Sequence, residues 1–383
     1  MKRKCEPELR NIGLYIHVPF CRKKCYYCDF VSYENVDDDM VFAYFSALEN
    51  ELIFYKENYE IEIDTVYIGG GTPSFVPAKY ILKLLEFIYS NFNVKNTCEI
   101  SIEANPESIT KEKLKSYRKA GINRLSVGIQ SLNDTELRVI GRVHDSAVAL
   151  KILSVVPLYF ENFSIDVITG LPYQTFESFM QTLNTLLEFS PPHLSIYSLK
   201  IEEGTPLFNR YEEYKHSFAD EDEERRMFWW ARDRLSEVGL YHYEISNFAK
   251  KGFECKHNLK YWNCDEYIGV GCAAHSFFDG YRYYNTSNIN EYVKKIKENG
   301  LAVEGKEFIS NEESEKEFII LGLRKIEGFS LDEFRERFGI EFERKYKYRI
   351  EKLKKYGLIE IDNRIKLTKR GIDLANLVWQ EFI

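Results

Sequence analysis

Short apolar, β-branched runs recur along the first half of the chain and alternate with longer segments of helical period. "LYIHV" (14–18), "TVYI" (65–68), "CEISIEA" (98–104), "RLSVGI" (124–129), "FSIDVI" (163–168) and "HLSIYSL" (193–199) predict strands. Between them, Asp37 to Tyr55, Pro77 to Asn91, Thr110 to Ala120, Asn133 to Gly141 and Thr175 to Phe189 predict helices. Six βα units in succession imply a parallel sheet with right-handed crossovers. The loops at the carboxyl ends of such strands share one edge. The unusual residues crowd there: cysteines after the first strand, "GGGTPS" after the second, then "EANP", "GIQS" and "GLPYQT".

The pattern changes after residue 200. "DEDEERR" (220–226) opens a helix whose acidic start suits the positive end of its dipole. Residues 241–285 are rich in aromatics, His and Gly. From about 306, Ser330 and Glu333 predict a capping box, "RKYKYRIEKLKKYG" a basic helix, and "LIEIDNRIKL" a hairpin turning at Asp362 and Asn363. That order describes a small winged helix. The expected architecture is therefore α/β: a partial (β/α)6 TIM-like barrel over 1–205, an extension over 206–305 and a winged-helix-like domain over 306–383.

Composition narrows the class. Hydrophobic residues make up 44%, charged residues 29% and aromatics 15%, which describes a globular chain rather than a disordered one. A formal net charge of -8 argues against a nucleic-acid binder that works by bulk charge. No apolar run approaches the roughly 20 residues that span a bilayer, and no apolar segment follows the basic N-terminus, so a cytoplasmic location is expected. In a reducing compartment, clustered cysteines read as metal ligands or catalysts before they read as disulfides.

"HVPFCRKKCYYCDF" (17–30) holds Cys21, Cys25 and Cys28 in the spacing C-x3-C-x2-C. Packing as small hydrophobes suits them poorly, because "RKK" marks an exposed loop. Zinc competes if His17 completes a Cys3His set. An iron–sulfur cluster competes too, three thiolates leaving one iron open to a ligand. Further along, Cys255, Cys264, Cys272 and His275 invite a second metal, although their gaps match no familiar site; Cys98 reads as buried and Cys5 as exposed.

The loop after a first βα strand resembles that of the radical S-adenosylmethionine (SAM) superfamily. "YIHVPFC", "YYCDF", "YIGGGTPS", "SIEANP", "SVGIQS", "IGRVHD", "DVITGLPYQT", "YEISNFA", "HNLKYW" and "YIGVGCAAHSF" resemble, in order, the oxygen-independent coproporphyrinogen oxidase family and its HemW branch. The resemblance runs from about residue 12 to the end. It implies that Cys21, Cys25 and Cys28 hold a 4Fe-4S cluster whose fourth iron is chelated by the amino and carboxylate groups of SAM. It also implies SAM contacts at Tyr15, Tyr27, Gly70, Gly71, Thr72, Glu103, Gln130, Arg142 and Asp166. The residue types suit such a ligand: carboxylates for an ammonium and ribose hydroxyls, an Arg fork for a carboxylate, a planar ring beside the last cysteine for adenine.

Two departures separate the branches. The oxidases carry a further cysteine two residues after the third, where this chain has Phe30, and a longer segment before the motif. Both point to the HemW branch, understood as haem chaperones whose mark, H-N-x-x-Y-W, reads here His257-Asn258-Leu259-Lys260-Tyr261-Trp262. The resemblance thus implies haem as a third bound group near His257, Tyr261 and Trp262, with His257 either an iron ligand or a packing residue. It implies apo-haemoproteins such as respiratory enzymes as partners, and leaves open a homodimer and transient membrane association. No catalytic residue is assigned. The alternative is a radical SAM coproporphyrinogen III oxidase that decarboxylates porphyrinogen propionates; a cluster-bearing regulator is a third. Seven Lys or Arg between 344 and 355 raise DNA binding as a further reading. The acidic remainder argues against it, and docking on the barrel or on a haem acceptor is expected instead.

Overall fold

The computed structural model describes residues 9–383. Six parallel strands form the centre of one sheet: β1 (Arg10–Val18), β2 (Ile61–Gly70), β3 (Asn93–Ala104), β4 (Arg124–Gln130), β5 (Asn162–Thr169) and β6 (His193–Ser198). They alternate with α1 (Asp38–Asn58), α2 (Ala78–Asn91), α3 (Lys111–Lys119), the pair α4 (Asp134–Val139) and α5 (Ser146–Leu153), and α6 (Phe176–Leu187). The helix starts are chemically marked. Asp37, Thr110, Asn133, Asp145 and Thr175 each accept a backbone N–H from the first turn of the helix that follows.

Each barrel strand has two unlike faces. Val66 and Ile68, Ile100 and Ile102, Leu125 and Val127, Ile165 and Val167, and Leu194 and Ile196 belong to the main hydrophobic core with the helices. The intervening positions are polar: Thr65 and Tyr67, Ser101 and Glu103, Arg124 and Ser126, Ser164 and Asp166, Ser195 and Tyr197. Registers align these into rows, Tyr15 against Tyr67, Tyr67 against Ser101, Glu103 against Ser126, Asp166 against Ser195. Because successive strand residues point to opposite faces, this alternation builds a polar interior inside an aliphatic shell.

The sheet does not end with the six strands. β7 (Tyr241–Glu244) and β8 (Asn247–Ala249) extend it antiparallel beyond β6. On the other side β9 (Tyr267–Val270) joins β1 in parallel, followed by β10 (His275–Phe278), β11 (Tyr281–Asn285) and β12 (Val303–Phe308) in antiparallel order. Among the described residues the result is one sheet of 12 strands.

The C-terminal part is the expected winged helix. Helices Leu331–Phe338 and Lys347–Lys355 precede the hairpin of β14 (Ile359–Ile361) and β15 (Arg364–Leu367), and β15 also pairs with β13 (Phe329–Ser330). A second core holds it, built on Phe318, Phe329, Phe334, Phe342, Tyr346 and Phe382. Phe342, Tyr346, Ile350 and Leu353, the apolar phase of the basic segment, are all buried there. Two details differ from expectation. Ser330 caps its helix by accepting from the Glu333 N–H, but Glu333 returns no bond, since Ser330 is itself part of β13. The basic segment is also two helices rather than one, Phe342–Lys345 and Lys347–Lys355, meeting at Tyr346, whose hydroxyl donates to the buried Glu315 at 2.7 Å.

Candidate functional site

The cysteine loop follows β1 at the carboxyl edge of the sheet. Cys21 is buried, Cys25 and Cys28 are half-buried, and all three are free thiols. The Cys21 Sγ lies 3.4 Å from the Thr72 hydroxyl and the Cys25 Sγ accepts from Arg142 at 3.4 Å, so the loops after β1 and β2 and the connection between α4 and α5 meet at the sulfurs. Burial pushes the Cys28 thiol up to about 11 and raises Cys21 as well. Thiols in that state lose their protons to a bound metal rather than to water.

The donor set can be tested against the expected groups. Among the described residues no three His, Cys, Asp or Glu side chains converge as they would on one ion. His17 cannot serve as a fourth ligand. Its Nδ1 is bonded to the Tyr15 hydroxyl at 2.9 Å and its Nε2 to the Val31 carbonyl at 3.0 Å, and burial lowers its pKa to about 4. The Cys3His zinc alternative is thereby removed. Three thiols without a fourth ligand remain, which suits a multi-iron cluster with one open iron. The second-metal reading fails as well. Cys255 lies beside Glu99 in the barrel interior, Cys264 joins the second core, Cys272 donates to the Ser287 carbonyl, and His275 stacks on Tyr284. Cys98 is buried as expected, and Cys5 lies outside the described residues.

The expected SAM residues gather around the same mouth. Glu103 accepts from the Tyr67 hydroxyl at 2.8 Å and from the Gly70 N–H at 3.2 Å; burial, then the nearby Asp166, pushes its carboxyl up to about 7. Asp166 accepts from Ser126 at 2.8 Å and Ser164 at 3.1 Å. Gln130 ends β4 at a register shift and has φ 68°, a bulge that re-aims its side chain. Arg142 donates to Asn105 at 2.8 Å and to the Gly128 carbonyl, while its buried Nε has no protein partner. Tyr27 sits beside Arg142 and packs on Ile140, Ile168 and Leu171. Tyr15 stacks on Tyr67 with centroids 6.3 Å apart.

The glycines have a reason of their own. A Cβ at Gly70, φ 110°, would come within 2.6 Å of the His17 ring, and one at Gly71 within 2.9 Å of the Phe20 nitrogen. They let the turn after β2 close against the loop after β1.

"HNLKYW" is placed otherwise than an exposed haem ligand requires. It forms the short helix Lys256–Trp262, which fills the barrel interior. Glu99 caps it by accepting the N–H groups of Lys256 at 2.9 Å and His257 at 3.4 Å. His257 is fully buried: Nδ1 bonds the Thr65 hydroxyl and Nε2 the Tyr261 hydroxyl, both at 2.8 Å, and the ring stacks on Tyr67 with centroids 5.4 Å apart. Burial lowers its pKa to about 3. Of the two expectations for His257, iron ligand or packing residue, these two bonds match the packing one. Trp262, at the other end, is partly exposed, and its buried Nε1 has no partner. Tyr67, Thr65 and Ser126 were missed by motif reading; the polar alternation along the strands is the signal that marks them.

The radical SAM superfamily domain matches residues 15–186 and the HemN C-terminal domain residues 309–374. The heme chaperone HemW of Bacillus subtilis (strain 168) is 35% identical over 375 residues, covering 96% of this chain and 98% of that protein. The chain belongs to the HemW family. The heme chaperone HemW of Lactococcus lactis subsp. lactis (strain IL1403) is also 35% identical, over 96% of each chain. Coproporphyrinogen III oxidase (HemN) from Escherichia coli, a radical SAM enzyme of solved structure, superposes with a TM-score of 0.85 over 97% of this chain and 90% of its own, at 24% identity. That likeness establishes the fold: the radical SAM partial barrel with its C-terminal domain. Membership of the radical SAM superfamily implies a 4Fe-4S cluster and SAM. Among the described residues no helix is long and apolar enough to cross a membrane.

Proposed function

We propose that this HemW family member is a haem chaperone that binds a 4Fe-4S cluster through Cys21, Cys25 and Cys28, binds SAM through the mouth residues named above, and passes haem to apo-haemoproteins. The carrying observation is the likeness to proteins named heme chaperones along nearly the whole of both chains, at 35% identity. Phe30, 63% exposed where the oxidases place a further cysteine, supports the same branch. A bound cluster supplies a redox-active iron with a position open to a chelating ligand.

The protein's own residues then divide the work. Arg142 fixes the connection between α4 and α5 against Cys25. Glu103 and Asp166 hold carboxylates toward a cationic ligand, and Tyr67 keeps Glu103 oriented. For haem, the outer end of the Lys256–Trp262 helix is the favoured place, since the inner end at His257 is committed to packing. The domain limits at about 205 and 306 belong to this reading; the separate aromatic core supports the second.

The test is anaerobic: reconstitute the cluster, titrate haem, then supply coproporphyrinogen III with SAM and a reductant. Stoichiometric haem binding without porphyrinogen turnover is the expected result. Turnover without haem binding would falsify the chaperone reading and favour the oxidase.

A further inference from the structure

Where β7 and the Lys256–Trp262 helix meet the C-terminal part, several buried polar atoms have no protein partner. They include Nε of Arg324, Nε1 of Trp262 and Nε1 of Trp379. Their side chains touch: the Arg324 guanidinium carbon lies 4.2 Å from the centre of the Trp262 ring and 5.5 Å from that of Trp379. Arg324 is fixed by its backbone. Its carbonyl accepts from the Ile245 N–H at 3.0 Å, and Lys325 pairs with Glu244 at the edge of β7.

The one nearby carboxylate does not satisfy this group. Glu244 Oε2 stands 3.9 Å from the Arg324 terminal nitrogen, beyond hydrogen-bond reach, and Glu244 Oε1 is already bonded to the Ser246 N–H and the Asn247 amide. Burial raises the Glu244 carboxyl and lowers Arg324, and the attraction between the two opposes both shifts. The Arg324 side chain nevertheless keeps 25% of its surface open.

Indole and guanidinium N–H groups donate and never accept. In this arrangement the unpaired Glu244 Oε2, at 3.9 Å, is the nearest acceptor and stands outside hydrogen-bond reach, so their donor capacity is unspent. A guanidinium with aromatic rings beside it is held in plane and partly stripped of water, while its edge stays available to a planar oxyanion. Trp262 also closes the motif that marks the family.

We infer that Arg324, with Trp262 and Trp379, forms a carboxylate-binding site that takes a propionate of bound haem. This rests on the haem reading above. It places the anchor at the outer end of the helix, with an arginine contributed from beyond the barrel.

The experiment titrates the full chain by absorbance with haem and with haem dimethyl ester, whose propionates are uncharged. Arg324→Gln is expected to weaken haem binding by about tenfold to a hundredfold, as for loss of a charge-assisted bond, and to leave the ester's affinity unchanged. Trp262→Phe, which keeps a ring and loses the N–H, is expected to weaken haem binding by about threefold to tenfold. Arg324→Lys serves if the Gln variant folds poorly, and loses the fork while keeping the charge. Equal haem affinity in wild type and the Arg324 variants overturns the anchor while the haem reading stands. A parallel loss for haem and ester also overturns it, by showing a structural role. If wild type binds neither, the haem reading fails and the anchor with it.

Discussion

At the mouth, Cys21, Cys25 and Cys28 are free thiols and Arg142 keeps a buried Nε without partner. Deeper in the same barrel, His257 has both ring nitrogens bonded at 2.8 Å and a tyrosine stacked on its face. Both places carry residues that bind metals elsewhere. The difference is unspent bonding capacity: a buried polar group left unpaired costs stability unless something supplies a partner, while a satisfied one is part of the frame. By that measure the mouth keeps bonding capacity to spare and the interior helix supports it, through Tyr67, which stacks on His257 and donates to Glu103.

Substitution can break this contrast. Replacing Cys21, Cys25 and Cys28 together by Ala is expected to abolish cluster reconstitution, read as loss of the iron–sulfur absorption and of bound iron, while thermal unfolding stays cooperative. His257→Ala is expected to leave cluster assembly intact and lower stability by about 3 kcal/mol in urea unfolding, because the Thr65 and Tyr261 hydroxyls are left buried and unpaired. The sign of its pH dependence follows from its pKa of about 3 when folded against about 6.5 when unfolded. The stability due to neutral His257 is fully present above about 6.5 and is lost as pH falls from there toward 3, so the gap between wild type and variant narrows in acid.

Smaller effects sharpen the division. Glu103→Gln is expected to weaken SAM binding by about tenfold, read by calorimetry on the reconstituted protein. In wild type the affinity for this cation should rise as pH passes through about 7, where Glu103 ionises, and the Gln variant should lose that rise. Tyr67→Phe removes only the hydroxyl that holds Glu103 and should cost about 1 kcal/mol of SAM affinity. Tyr348, 80% exposed on the basic helix, lies outside both regions; Tyr348→Ser should change stability by less than about 0.5 kcal/mol.

Much of this was legible in the chain itself. Six apolar runs separated by helical segments announced β1–β6, and capping residues such as Asp37, Thr110 and Thr175 marked the helix starts locally. The cysteine spacing and its place after β1 pointed to the mouth. What local pattern could not carry was pairing at long range. That β9 lies beside β1 is invisible in "YIGV", which reads like any strand. The ligand and packing readings of His257 both stayed open because its partners, Thr65 and Tyr67, stand almost 200 residues earlier, at 192 positions' separation for Thr65. Nothing in the sequence around Arg324 announces Trp262 and Trp379, whose ring centres lie 4.2 Å and 5.5 Å from its guanidinium carbon.

The pairing of β9 with β1 also sets a timetable. Gly13 opposes Tyr267, so the strand that leads into the cysteine loop waits for the chain to be made past residue 267 before its second edge is covered. Contacts of such separation are slow to form, and an uncovered strand edge is exposed to wrong partners meanwhile. A ribosome-bound chain would thus present the cysteine loop beside a half-finished sheet, with the interior helix and its polar bonds still to come.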